Sequence, residues 1–241
     1  MTVLSNATTK IADVPEIENP FPELPQGLGM KMNTSASRLA KYREMAGVFA
    51  SGVRPSSFEE TYSLCKCVCG QYLEEAKAIW DFVRGNNIKR IAEVGRNIGG
   101  NVFLLSCAAQ ELERFCSIDL LDWKLTDPLI KKWFAHYGIA ADILVADSLN
   151  PNFKGYEYWD FVYIDGGHTG PIVQADILRW HERTRYIGFH DFADRGRKNK
   201  HRRVFQDVVD AIKDARDQYG WTIASPRGRS DIVFDTGRIF S

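Results

Sequence analysis

The feature that most constrains this chain is an alternation of short β-rich runs with helical segments, which starts at Arg90 and continues almost to the C-terminus. The strand runs are Arg90–Val94, Arg114–Asp119, Asp142–Val145, Trp159–Ile164 and Tyr186–His190. Helical periodicity covers Gly100–Glu113, Asp127–Tyr137, Pro171–His181 and His201–Tyr219. Strands that alternate with helices are joined by right-handed crossovers. That connection lays the strands parallel in one sheet and covers both of its faces with helices. The tail breaks the pattern. Trp221–Ala224 and Asp231–Phe234 flank Pro226-Arg227-Gly228, and this turn chemistry predicts a hairpin at the sheet edge. The expected fold is therefore α/β: a doubly wound, mostly parallel seven-stranded sheet with a C-terminal antiparallel hairpin and an N-terminal helical extension.

A length of 241 residues suits one such domain plus an extension. The domain is expected over residues 58–241, opening with one or two helices in Phe58–Arg84, whose apolar face is Leu73, Ala76, Ile79, Trp80 and Val83. Residues 1–57 form the extension. Pro15, Pro20, Pro22 and Pro25 among acids argue against order in its first part. Ser35–Ala50 reads as a helix with Leu39, Tyr42, Met45 and Phe49 on one face, suited to a cap over a binding site or to the arm of a homodimer.

Lys+Arg and Asp+Glu balance at 31 each, so no global field favours nucleic acid. Of the five cysteines, Cys65, Cys67 and Cys69 alternate without a second cluster, and Cys107 and Cys116 stand apart. That is the usage of reduced, buried thiols rather than of structural zinc. No stretch is long and apolar enough to span a bilayer, and Met1–Lys10 is polar. A cytoplasmic protein without a membrane partner is expected.

Five motifs fall at strand ends. In Glu93-Val94-Gly95-Arg96-Asn97-Ile98-Gly99-Gly100-Asn101 an apolar strand runs into a glycine-rich turn and then a helix, which Asn101 is placed to cap. The spacing is not the dinucleotide pattern, and an acid two residues before the first glycine suits a zwitterionic amino-acid ligand better than a pyrophosphate. Asp119 closes the next strand, where an acid can accept both hydroxyls of a ribose. Asp147 and Ser148 follow the third strand and could meet an adenine or close an Asx turn. Asp165, in Ile164-Asp165-Gly166-Gly167-His168, ends the fourth strand. Asp191, in Phe189-His190-Asp191-Phe192, ends the fifth. If those strands are neighbours, the two carboxylates repel unless a cation or a proton intervenes.

These motifs, in this order over residues 58–241, resemble class I S-adenosylmethionine (SAM)-dependent methyltransferases, which have Rossmann-like folds. Within them the chain is most similar to the small-molecule O-methyltransferases of the catechol, macrolide-sugar and aminocoumarin-sugar types and to cephalosporin-hydroxylase-like proteins. The resemblance implies SAM as cofactor. Glu93, Gly95 and Gly99 would meet its methionine part, with Arg96, Asn97 and Asn101 in the same turn. Asp119 and Leu120 would meet the ribose, and Asp147 and Ser148 the adenine. Asp165 and Asp191 match the positions that hold a divalent cation, most often Mg2+, in metal-dependent members. His168 falls where catechol-type members carry a catalytic lysine. The chain departs from the pattern at Phe192, a metal-ligand position that phenylalanine cannot serve, which leaves His190 or His168 as substitute. An imidazole there favours a transition metal. It also lacks the Pro-Gly-Gly turn before the fifth strand, having Glu182-Arg183-Thr184-Arg185.

The expected activity is O-methylation of a small-molecule hydroxyl, with His168 as general base and Asp165 at the reaction centre. The basic run Arg195-Gly196-Arg197-Lys198-Asn199-Lys200-His201-Arg202-Arg203, extended by Arg227 and Arg229, suits an acidic acceptor. Two other classes remain. One is a nucleic-acid methyltransferase using that basic run, although the Asn/Asp-Pro-Pro-aromatic tetrad of many amino-group enzymes is missing. The other is a SAM-binding or hydroxylase-like relative without methyltransferase activity.

Overall fold

In the computed structural model, residues 14–23, 35–66, 68–150, 157–192, 202–225 and 231–239 are described. They form α1 (Ala36–Ala50), α2 (Phe58–Cys65), α3 (Leu73–Gly85), β1 (Arg90–Val94), α4 (Gly100–Ala108), β2 (Arg114–Asp119), α5 (Asp127–His136), β3 (Ala140–Val145), β4 (Trp159–Ile164), α6 (Gly170–Trp180), β5 (Thr184–Phe189), α7 (Arg202–Tyr219), β6 (Thr222–Ile223) and β7 (Ile232–Asp235). The sheet order is β3-β2-β1-β4-β5-β7-β6. β3 through β5 are parallel. β7 runs antiparallel to both β5 and β6, as the hairpin chemistry of the tail predicts.

The chain winds outward through β1, β2 and β3, then crosses back to β4 beside β1. That reversal opens a crevice at the carboxyl ends of β1 and β4, the usual ligand position in an open α/β sheet. Alternate side chains of each strand enter different cores. Ile91, Phe115, Phe161 and Tyr163 pack with Phe103, Trp133 and Phe49 under the earlier helices. Ala92, Ile118, Val162 and Ile187 pack with Trp180, Val209 and Ile212 of α6 and α7. Because β1, β2, β4 and β5 are covered on both sides, their interior positions are nearly all buried.

Several boundaries differ from the sequence reading. α4 stops at Ala108 rather than Glu113, because Ala109 turns to an extended conformation. It begins on Gly99, which takes the left-handed conformation, so Asn101 lies inside the helix rather than capping it. β3 starts at Ala140, two residues early, and β5 ends at Phe189, leaving His190 just beyond the sheet. α1 packs on α5, and its Tyr42 hydroxyl accepts the Leu125 N–H at 2.8 Å. No helix among the described residues is long and apolar enough to cross a membrane.

Arg96, the first residue after Gly95, turns inward beneath the sheet end. Its Nε and Nη2 donate to the two Asp127 oxygens at 2.9 and 2.7 Å. Its Nη1 donates to the carbonyls of Ser117 at 3.0 Å and Leu144 at 3.2 Å. One guanidinium thus ties the β1 turn to β2, β3 and the first turn of α5, with both charged side chains nearly fully buried. Removing one member of such a pair leaves an uncompensated interior charge, which costs about 3–5 kcal/mol. Asp127→Ala should therefore lower the unfolding free energy obtained from a urea titration by that amount, shifting the midpoint down without changing the slope. An unfolding free energy within about 1 kcal/mol of wild type would show that the pair does not hold the sheet end together.

Candidate functional site

Four strand ends meet around the crevice, and the local chain geometry brings them close. Gly95 has φ +93°, and a Cβ there would lie 2.2 Å from the Asp165 carbonyl oxygen, so the turn after β1 runs directly against the turn after β4. Asn97, also left-handed at φ 50°, donates its backbone N–H to Asp119 Oδ2 at 2.7 Å. Asp119 Oδ1 accepts the Leu121 N–H at 2.8 Å, so this carboxylate joins the turns after β1 and β2. Asn101, one turn into the crevice, donates Nδ2 to Asp165 Oδ2 at 3.1 Å.

A cavity of about 310 Å³ opens here. Its wall includes Gly95, Arg96, Asn97, Asn101, Asp165, His168, His190 and Asp191, closed on one side by Val68, Cys69 and Gly70. Eight of the residues named from the sequence therefore share one pocket, Arg96 by its backbone end while its charge is consumed by Asp127. Glu93 lies buried on β1, accepting the Ser117 hydroxyl at 2.7 Å, and Gly99 caps α4. Leu120 is exposed beside Asp119. Asp147 and Ser148 end β3 away from this cavity. Asp147 closes its own loop by accepting the Leu149 N–H at 2.9 Å, and the buried Ser148 hydroxyl donates to Asp176 at 2.7 Å. The basic run 195–203 and Arg227 and Arg229 lie outside the described residues, apart from the backbone of Arg202 and Arg203 at the start of α7. Cys67 lies outside them too.

The electrostatics are dominated by buried acids. Burial pushes the Glu93 carboxyl up to about 8, against the pull of Ser117 and Arg96. Burial likewise raises Asp165 to about 6, with His190 and His168 opposing and Asp191 adding to the rise. The Asp191 carboxylate, 2.7 Å from His168 Nδ1, raises that imidazole above the ordinary 6.5. Asp191 itself has φ 62°, a left-handed backbone that aims its side chain at His168.

Ligand atoms of Asp165, His168 and Asp191 all lie within 4.8 Å of one another, close enough to share one cation. His190 is arranged differently from the expectation. Its Nδ1 is 2.7 Å from Asp231 Oδ1, and its Nε2 stands 3.5 Å from Asp191 Oδ1, so the imidazole closer to Asp191 is that of His168, which is grouped with both carboxylates. Phe192 is buried against Phe234, which accounts for an apolar residue at that position. Asp231, Tyr163 and Gln71, none singled out from the sequence, form a buried chain behind His190. The signal for Asp231 is its place beside Ile232, which pairs with Phe189, and that register exists only once the tail folds back.

No protein-family model matches the sequence, and no curated protein matches it. Solved structures do match by shape. Among them are a caffeoyl-CoA O-methyltransferase candidate from Staphylococcus aureus (TM-score 0.53, 16% identity, 75% of this chain and 93% of that one) and the S-adenosylhomocysteine (SAH)-bound methyltransferase PaMTH1 from Podospora anserina (0.54, 12%, 86% and 99%). Cofactor-bound Rv0187 from MTB also matches (0.51, 14%, 86% and 92%). At these identities the shared property is architecture, and this chain has the seven-stranded α/β fold of those proteins.

Proposed function

We propose that the protein is a SAM-dependent methyltransferase acting on a hydroxyl of a small molecule. The observation that carries this reading is the convergence of the Gly95 turn, Asp119, Asp165, His168 and Asp191 on one crevice at the switch point of the sheet. The SAH-bound and cofactor-bound states of two structures with this fold support the choice of cofactor. The residues also fit it. Two buried oxygens, Glu93 Oε1 and Asn101 Oδ1, have no hydrogen-bond partner, and an α-ammonium group supplies the donors they lack. A ribose can take up the acceptor capacity that Asp119 retains beyond its two backbone donors. Helix α1 packs against the glycine-rich turn, its Phe49 ring 3.0 Å from where a Gly99 Cβ would stand, and none of the described residues before Val68 lines the cavity.

SAM supplies a methyl group activated on a sulfonium centre. The remaining chemistry belongs to the chain. The cavity wall aligns the acceptor oxygen with the methyl carbon, and that alignment is the main catalytic contribution to an in-line displacement. The hydroxyl proton passes to His168, whose Nδ1 is oriented by Asp191, so that Nε2 is the free proton acceptor. Asp165 closes the floor of the site. A metal-assisted route is a second reading, favoured by the grouping of Asp165, His168 and Asp191. Those three residues would hold a divalent cation, Mg2+ or, given the imidazole, a transition ion, and the cation would lower the pKa of a coordinated hydroxyl.

SAH should bind the wild type in calorimetry, and Asp119→Ala should weaken it at least about tenfold by removing two charge-assisted acceptor sites. No binding to the wild type would reject the reading. For the metal-free route, the base must lose its proton, and Asp191 raises its pKa. The rate should therefore rise with pH through a midpoint above 6.5, and Asp191→Asn should move that midpoint down while slowing the reaction. A rate that falls over the same range removes His168 as base. For the metal-assisted route, a chelator and Asp165→Asn should each cut turnover by at least about a hundredfold, and indifference to both eliminates the ion.

A further inference from the structure

Behind His190 lies a hydrogen-bonded chain that the proposed reaction does not use. Gln71 Nε2 donates to Tyr163 Oη at 2.7 Å. Tyr163 Oη donates to Asp231 Oδ1 at 3.3 Å. The same oxygen is 2.7 Å from His190 Nδ1. Gln71, Tyr163 and Asp231 are buried, and Asp231 has 1% of its side chain exposed. Three different parts of the fold supply these groups: the segment before α3, the penultimate position of β4, and the residue just before β7. Interior polar chains of this kind are costly unless each member is satisfied, and one end of this chain reaches the cavity wall at His190.

An ionised carboxylate only accepts, so Asp231 fixes Nδ1 of His190 as a donor. In either protonation state of the ring, Nε2 is then the nitrogen left on the cavity side, 3.5 Å from Asp191 Oδ1. The same logic orients a histidine wherever a buried acid holds one ring nitrogen so that the other can meet a reacting oxygen. We infer that His190 Nε2 is a hydrogen-bond contact for the acceptor hydroxyl, and that Asp231 is the positioning residue that aims it. This rests on the methyl-transfer reading for the identity of the ligand, but not for the Asp231–His190 geometry.

The test uses the full chain. In nitrogen-15 histidine spectra, wild type should show a strongly deshielded, slowly exchanging His190 Nδ1 proton, absent in Asp231→Asn. Labelled-methyl transfer from SAM would be measured on catechol, phenol and sugar-hydroxyl probes. On any probe that turns over, Asp231→Asn should lower kcat on the order of a hundredfold while the KM for SAM changes less than about threefold. His190→Gln should do the same, and the double variant should be no slower than His190→Gln alone, because Asp231 acts through His190. An unchanged Nδ1 resonance in Asp231→Asn, wild-type kcat in that variant, or additive losses in the double variant would each overturn the proposal. If the wild type binds SAH but methylates no probe, it is the hydroxyl-transfer reading that fails, and the Nδ1 resonance alone decides the positioning claim.

Discussion

The architecture of the crevice depends on one buried cation. Arg96 enters the interior from the turn after β1 and holds Asp127 on α5 together with the carbonyls that end β2 and β3. Burying a guanidinium is unfavourable unless its N–H groups find acceptors, and here two carboxylate oxygens and two carbonyls take four of the five. The consequence is geometric. The three strand ends on one side of the switch point cannot move independently, so Asn97, Asp119 and the cavity floor keep their spacing without a ligand. Helix α5 also carries its own constraint, since Pro128 lies in its first turn beside Asp127.

The fold was readable because it follows from periodicity. Each parallel strand is a short apolar run, helices separate most of them, and Pro226-Arg227-Gly228 stands between the two strands that pair antiparallel at the tail. The strand-end residues were readable for the same reason, because a carboxyl end of a parallel strand points into the crevice wherever the order reverses. The ion pair of Arg96 was not legible. Its position in a glycine-rich turn suggests a ligand contact, and the residue does line the cavity, but its side chain meets an aspartate 31 positions later. The partner of Ser148 is equally remote, since Asp176 stands on a helix beyond the next strand. Asp231 carries no local mark at all. Long-range partners of polar side chains are set by packing and register, and neither is a property of a window of sequence.

The site collects several acids where burial disfavours their charged forms. Asp165, Asp191 and Asp231 surround two imidazoles, and Glu93 lies beneath them. His190 illustrates the balance. Burial alone would lower its pKa, yet Asp165, Asp231 and Asp191 together raise it to about 10. Such a cluster is stable because each carboxylate has a donor. Glu93 has Ser117, Asp165 has Asn101, Asp191 has His168, and Asp231 has His190 and Tyr163. The arrangement suits a cationic ligand, whose charge would relieve the mutual repulsion.

Asp191 occupies a backbone conformation that most L-residues avoid, and only Gly, Asn and Asp enter it at small cost. That choice limits what the position can become. Asparagine preserves the conformation while removing the charge, and glycine relaxes the chain while removing the side chain altogether. A β-branched residue would do neither, since it would strain the link between β5 and the segment that follows. Drift at this site is therefore channelled toward forms that keep the shape of the crevice but abandon its chemistry. Such a substitution there would leave the fold intact and the pocket short of one carboxylate.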